Sequence, residues 1–390
     1  MENKVQVVYK DRKNTNSKKW DSQFQMFGEE NLHAMWIADM DFQSPDCVSM
    51  AIINYAENCV LGYYNTPESY YDSFIIWQKN YHSNYVSKEW IRFSPGIVPA
   101  VNWFVQFMTQ PHESVIVLTP VYYPFLDAVK NNNRTLITSE LIDTNGNYTI
   151  DFNDFEEKII KNNVKMFILC SPHNPVGRVW RFDELNNLLS ICKKHNVFVI
   201  SDEIHQDFVF SDNAHIPSLN IDGFQDMIVT LTAATKTFNL AGCQNSFVVI
   251  PNEEIRKRYD EFITKIRIFS GNLLGYVAVE AAYTQGRPWL EEVKSIIYEN
   301  YKYVINSFAE HLPHIVVSPL EGTYLLWINF GNYLPQSELK QFLQKECKLA
   351  LDYGEWFGGE QFGTYARMNL ATSKESVEKA VKKIVEQLNI

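Results

Sequence analysis

Through the middle of the chain, short apolar runs alternate with stretches whose apolar residues recur every three or four positions. SVIVLTP (Ser114 to Pro120), VKMFILCSP (Val164 to Pro172), VFVISDE (Val197 to Glu203) and MIVTLT (Met227 to Thr232) are short, rich in β-branched residues and closed by polar or turn-forming ones. That pattern predicts short buried strands. In RFDELNNLLSICKKHN (Arg181 to Asn196), Leu185, Leu188, Leu189 and Cys192 fall on one helical face. DFNDFEEKIIKNN (Asp151 to Asn163) has the same texture. Strand, helix, strand, helix predicts an α/β fold with a mostly parallel sheet covered by helices. Such sheets bind ligands beyond the carboxyl ends of their strands. Chemistry is therefore to be sought just after each apolar run.

Beyond about residue 286 the texture changes. WLEEVKSIIYENYKYVINSFAEHL (Trp289 to Leu312) predicts a long amphipathic helix. IVVSP, TYLLWINF and YARMNLA read as strands, and ELKQFLQKECKLAL as helical. The last helix opens on T-S-K-E (Thr372 to Glu375), a capping-box pattern. The expected partition is an N-terminal arm over 1–45 that wraps a domain or joins the smaller one. A large domain follows over 46–285, then a smaller α+β C-terminal domain over 286–390.

Composition narrows the class. The chain has 390 residues, 46% hydrophobic, enough for substantial cores. A net charge of −11 and a pI near 5.4 leave no basic footprint for nucleic acid. The six cysteines (47, 59, 170, 192, 243, 347) form no CxxC pair, and no HExxH occurs. No metal site or disulfide framework is expected. The opening MENKVQVVYKDRKNTNSKKW lacks the apolar core of a secretory signal, and no apolar run approaches membrane-span length. A cytosolic protein, without nucleic-acid or membrane partners, is expected.

Four features follow the apolar runs. SPHNPVG places Asn174 before Pro175, which taken alone is a turn. DEIHQD places Asp202, Glu203 and His205 at a strand end, where a capping or ion-paired carboxylate is as good a reading as a functional one. TAATKTFNLAG places Lys236 among uncharged neighbours; alone, it is a solvated lysine. SPGIVPAVNWFVQFM leads through Gly96 into a helix, whose first N–H groups are free to bind an anion. Together an amine, a carboxylate, an amide and an anion-ready helix start suit a phosphorylated pyridine aldehyde, pyridoxal 5'-phosphate (PLP). The amine would form a Schiff base, and the carboxylate would keep the ring nitrogen protonated so that the ring acts as an electron sink.

Over essentially its whole length the chain resembles the fold-type-I PLP enzymes of the aspartate aminotransferase superfamily. Within it, the chain is most similar to the MalY/PatB-like cystathionine β-lyase (C-S lyase) group. SPHNPVGR and the Asp202/Lys236 pair carry the superfamily resemblance, as do SPGIVPA, SDEIHQDF, ATKTFNLAG and YARMNLA. GYYNTPESYYDSFIIWQ (Gly62 to Gln78) belongs to the same resemblance, and WIADMDF (Trp36 to Phe42) and TPVYYPF (Thr119 to Phe125) point to the subgroup. The resemblance implies the PLP-dependent transferase-like fold and a role for each matching position. Lys236 would carry the cofactor and shuttle the Cα proton. Asp202 would pair with the pyridinium nitrogen, Asn174 and His205 would lie near the phenolic oxygen, and Tyr122 would stack on the ring. Gly96, Ile97, Val98 and Thr235 would hold the phosphate. Tyr63 would reach it from a partner subunit, implying a homodimer with shared active sites. Arg367 would fork the substrate carboxylate, with backbone contacts from Ala38. Adjacent pairs, Tyr63/Tyr64 and Tyr122/Tyr123, leave open which tyrosine matters. Arg367 taken alone is also readable as a domain–domain ion pair, a reading outweighed when all the matching positions are taken together.

Two positions depart from the pattern. Ala233 stands where many relatives have a phosphate-binding serine, with Thr232 or Thr235 to compensate, and Gln244 stands where many aminotransferases have arginine. The implied reaction is β-elimination of cystathionine or a related cysteine S-conjugate to a thiol, pyruvate and ammonia. The alternatives are a class I/II aminotransferase and a MalY-like binding partner of a transcription regulator.

Overall fold

In the computed structural model, which describes residues 5–389, the middle of the chain builds a seven-stranded sheet. Its strands are β1 (Ile91–Ser94), β2 (Ser114–Thr119), β3 (Thr135–Glu140), β4 (Met166–Cys170), β5 (Phe198–Asp202), β6 (Ile228–Thr232) and β7 (Ser246–Val249). Their order across the sheet is β1-β7-β6-β5-β4-β2-β3. Neighbours from β6 to β3 are parallel, and β7 runs antiparallel to both β6 and β1. The sheet is thus mostly parallel, with one reversed strand. The first four residues of the expected N-terminal arm lie outside the described residues.

Both faces of the sheet are covered. Val115, Val117, Met166, Ile168, Val229 and Leu231 pack with α1 (Ile97–Met108), α2 (Tyr123–Asn131) and α6 (Glu253–Ile266). Ile116, Leu118, Phe167, Leu169, Val199 and Ile228 face the other way, toward α4 (Phe182–Lys194), α7 (Leu273–Gln285) and α8 (Arg287–His311). Alternate side chains thus enter opposite cores, so the strands read as unbroken apolar runs rather than as apolar/polar alternation. The helix α3 (Phe152–Lys161) starts at Asp151, whose carboxylate accepts from the amides of Asn153 and Asp154.

After α8 a four-stranded antiparallel sheet forms from β8 (Val316–Val317), β9 (Leu325–Asn329), β10 (Asp352–Tyr353) and β11 (Tyr365–Asn369), in the order β8-β9-β11-β10. The stretch 338–351 is not helical throughout. A helix over Gln336–Gln341 widens into a π-turn over Phe342–Glu346, and the chain then turns through Lys348 at φ 55°. Leu349–Ala350 instead pairs in parallel with His33–Ala34. Their burial in the core outweighs helix propensity. The final helix α9 (Lys374–Leu388) is capped by Ser373, which accepts from the amide of Ser376 at 3.2 Å. The cap is thus one residue later than the T-S-K-E pattern predicts, and the Thr372 hydroxyl is buried instead. No helix among the described residues is long and apolar enough to cross a membrane.

Candidate active site

The carboxyl ends of β2, β4, β5 and β6 open on one crevice, into which the small sheet projects Arg367 from β11. Strand β6 ends at Thr232. Ala233 continues extended, and Lys236 rides on the four-residue helix α5 (Ala234–Thr237). Behind that helix, the Thr237 hydroxyl donates to Asp207 Oδ2 at 2.6 Å. Asp207 is itself fixed by Trp77 Nε1 at 3.0 Å and His82 Nε2 at 2.8 Å. This buried cluster ties the lysine helix to the turn after β5, which carries His205.

Lys236 is half-buried, and its Nζ donates to the carbonyl of Ala38 at 2.5 Å. Burial pulls its pKa down to about 8, with the Arg367 charge adding to the fall and Asp39 and Asp202 opposing it. Asp202 is buried at the end of β5 and accepts from the amide of Ile204 at 3.0 Å. Burial pushes its carboxyl up to about 7; Glu203 adds to the rise, while the Ile204 amide and Lys236 oppose it. Glu203 is spent elsewhere. It accepts from Ser201 at 3.0 Å and from the amide of Ser218 at 2.9 Å, and pairs with His215 at 3.1 Å.

His205 is buried with Nδ1 lacking any hydrogen-bond partner among the described residues. Burial and the charges of Lys236 and Arg367 hold it neutral, well below the usual imidazole range. Arg367 donates from Nη1 to Asn174 Oδ1 at 2.8 Å and forms a buried ion pair with Asp352. Tyr122 senses both Arg367 and Asp202, and burial raises its phenol. Gly96 caps α1, and a Cβ placed there would meet the Pro99 ring at ordinary contact distance, Cδ at 3.5 Å and Cγ at 3.9 Å. The amides of Ile97 and Val98 belong to the first turn, which has no intrahelical acceptors.

The WIADMDF segment reaches the lysine because its backbone is held on several sides. Ile37 adopts φ 44°. Asn369 donates to the carbonyls of Ile37 and Asp39, each at 2.8 Å. Asn239 donates to those of Met40 and Phe42 at 3.1 and 2.9 Å. Lys19, completely buried, pairs with Asp41 at 2.8 Å and donates to the Asp39 carbonyl at 3.1 Å. Trp20 Nε1 donates to the other Asp41 oxygen at 2.8 Å. Arg12 pairs with Asp39 at 2.6 Å.

Lys236, Asp202, His205, Asn174, Arg367, Tyr122 and Ala38 therefore meet at one crevice. Within this chain Tyr63 does not join them; it is fully exposed, and Val60 and Leu61 nearby are exposed as well. Tyr64 instead donates to the Gly271 carbonyl. Thr232 is occupied: its hydroxyl accepts from Gln206 at 2.9 Å and donates to the Glu203 carbonyl at 3.4 Å. Of the two threonines weighed beside Ala233, Thr235 is the one not engaged in this way. Gln244 is exposed, with φ 47°. No group of three metal-ligating side chains occurs among the described residues.

Three crevice residues escape the sequence reading. Asp352 is the strand partner of Arg367, and its one signal is a lone acid in the apolar run LALDY. Tyr324 is buried against His205, with ring centroids 5.6 Å apart, and senses Asp39 and Arg367. Asp39 lies inside WIADMDF itself.

The donor set fits PLP. A lysine amine with lowered pKa, a buried carboxylate in no ion pair among the described residues, an orphaned imidazole nitrogen and a glycine-led helix start are the groups that its aldehyde, ring nitrogen, phenolic oxygen and phosphate require. Comparison with known proteins points the same way. The family description "Aminotransferase class I and II" matches residues 76–384. Cystathionine beta-lyase PatB of Bacillus subtilis is 35% identical over 378 residues, covering 96% of this chain and 97% of PatB. Cystalysin from Treponema denticola, whose crystal structure contains PLP, superimposes with a TM-score of 0.94 at 34% identity, covering 98% of each chain. A PLP-bound protein from Clostridium difficile 630, described as an aminotransferase, superimposes with a TM-score of 0.95 at 41% identity, covering 99% of this chain and all of that one.

Proposed function

The chain belongs to the aminotransferase class I and II family, and from that premise we infer that it is a PLP-dependent C-S β-lyase. The reaction is β-elimination of cystathionine or a related cysteine S-conjugate to a thiol, pyruvate and ammonia. The observation that carries this reading is the half-buried Lys236 amine with its lowered pKa, at the carboxyl end of a parallel sheet and beside the buried Asp202 and Arg367. The full-length similarity to C-S lyases supports elimination over transamination.

When bound, PLP supplies the electron sink that stabilises negative charge at the substrate Cα. The chain's own groups do the rest. Lys236 would anchor the cofactor and, once free, take the Cα proton; a pKa near 8 suits an amine that must both accept and give a proton near neutral pH. Asp202 would oppose the charge of a protonated ring nitrogen, the cationic partner its burial calls for. Asn174 and the neutral His205 would flank the phenolic oxygen, and Tyr122 would lie against the ring. Gly96, Ile97, Val98 and Thr235 would take the phosphate, the helix start standing in for an arginine at Gln244. Arg367, with Ala38 nearby, would orient the substrate carboxylate.

A homodimer with shared sites is part of this reading. Tyr63 is fully exposed, with Val60, Leu61 and Phe269 also exposed, a patch suited to burial against a second copy. The six cysteines are all free thiols, which supports a cytoplasmic setting.

Two assays test the proposal. Cystathionine without any keto-acid acceptor is expected to yield pyruvate, ammonia and homocysteine in equal amounts. A keto acid matched one-for-one by pyridoxamine phosphate would establish an aminotransferase instead. Borohydride reduction followed by peptide mass spectrometry is expected to label Lys236, and label on another lysine would overturn the site assignment.

A further inference from the structure

Arg367 is not a free guanidinium. The register of β10 on β11 sets Asp352 directly opposite it, and the Asp352 carboxylate, completely buried, pairs with Nη2. Asn174 Oδ1 accepts from Nη1 at 2.8 Å, and the Phe357 ring centroid lies 4.9 Å from the guanidinium carbon. A carboxylate and an amide thus bond its nitrogens while an aromatic ring packs on it. The second Asp352 oxygen, Oδ1, is buried, and the Ile37 amide also faces this carboxyl. A guanidinium has five N–H donors, so donors remain for an incoming ligand.

On the function proposed above, Arg367 is the ligand of the substrate carboxylate. An arriving carboxylate is then the second anion on one cation, and the first cannot retreat into water because it is buried. Asp352 has two opposed effects. It holds the fork still, which lowers the ordering cost of binding. It also offsets the positive charge that the substrate carboxylate seeks.

We propose that Asp352 is a positioning residue that acts through Arg367, fixing the plane of the guanidinium while competing with the substrate carboxylate for its charge. It thereby sets how tightly amino acids bind, and leaves bond breaking to Lys236.

The test uses the holoenzyme and two readouts. One is steady-state KM and kcat with cystathionine. The other is calorimetric binding of 3-(methylthio)propionate, which has a carboxylate and a thioether but no amine to react. Asp352→Asn keeps an acceptor for the arginine and removes the charge. It is expected to tighten probe binding threefold or more and to lower KM, with kcat moving less than KM. Asp352→Ala loses both effects and is expected to bind the probe more weakly than Asp352→Asn, with KM above the parent's. Asp352→Glu, which retains the charge should the others fail to fold, displaces the arginine by one methylene and is expected to raise KM more than it lowers kcat. Weaker probe binding in Asp352→Asn than in the parent, or values within twofold across all the variants, overturns the proposal. Arg367→Ala separates the two levels. It is expected to raise KM tenfold or more, and a change below twofold would defeat the assignment of Arg367 rather than that of Asp352.

Discussion

Replacing Asp41 by asparagine isolates the part of the fold that presents Ala38 to Lys236. Lys19 and Asp41 are both completely buried and 2.8 Å apart. Asp41→Asn preserves shape, and still offers an oxygen to Trp20 Nε1, but takes away the anion bonded to the Lys19 amine and leaves it the neutral Asp39 carbonyl. Breaking a buried pair from one side costs about 3–5 kcal/mol. Burial already pulls the Lys19 pKa down, so the stranded amine can shed its proton, which caps the cost at the lower end of that range. Adding Lys19→Met removes the amine and keeps its apolar stem, and should bring the loss back to about 1 kcal/mol. The second substitution then recovers roughly 2 kcal/mol of the loss. Urea unfolding followed by tryptophan fluorescence, with cofactor concentration held fixed, measures it through the midpoints. A single variant costing under about 1 kcal/mol, or a double variant no better than the single one, would refute the reasoning.

Four further outcomes follow from the site. In the cofactor-free protein, native Asp202 holds its proton up to about pH 7 while the unfolded chain releases it near pH 4, so stability falls as pH rises through that window. Asp202→Asn should therefore stabilise the cofactor-free protein by about 2–4 kcal/mol at pH 8, with the gain more than halved at pH 5; a gain independent of pH would contradict this. An amine-selective acylating reagent should modify Lys236 in the cofactor-free protein with a pH midpoint near 8, read by peptide mass spectrometry, and a midpoint above 10 would remove the effect of burial. Gly96→Ala has room for its methyl, so the fold should change by less than about 0.5 kcal/mol while PLP affinity falls severalfold; unchanged affinity by spectroscopic titration would clear the helix start of a phosphate role. Mixing Tyr63→Ala with Lys236→Ala subunits, each impaired alone, should recover up to about a quarter of parental activity once subunits exchange, because one site of each hybrid dimer is intact; no recovery would argue against shared sites.

The centre of the fold was legible because a sheet covered on both faces writes itself as unbroken apolar runs. Val115 and Ile116 enter different cores, yet both must be apolar. The edge strands were harder. Residues 135–140 (TLITSE) are only partly buried, so no apolar run marks β3. Leu349–Ala350 belongs to a helical-looking stretch, and only its distant partner His33–Ala34 makes it a strand. In the site, the residues at the ends of β4, β5 and β6 were accessible to reasoning because strand ends are where chemistry gathers in such sheets. Asp352 was not, since its meaning depends on strand register in the second sheet. Tyr63 is a different case, because a single chain gives its exposed ring nothing to bind.

The pairing of His33–Ala34 with Leu349–Ala350 has a bearing on how the molecule is made. A nascent chain emerges N-terminus first, and the segment bearing Trp36 to Phe42 leaves the ribosome early. Its strand partner, and the Asn369 amide that holds its carbonyls, are synthesised only after the whole central sheet. The central sheet can assemble meanwhile, but the Ala38 carbonyl finds its place only once that later segment has emerged. A prematurely terminated chain would therefore carry Lys236 and Asp202 without the groups that complete the crevice. Quality control would meet it as an open sheet with an unfastened arm, distinguishable from the finished enzyme by protease cleavage around Trp36 to Phe42.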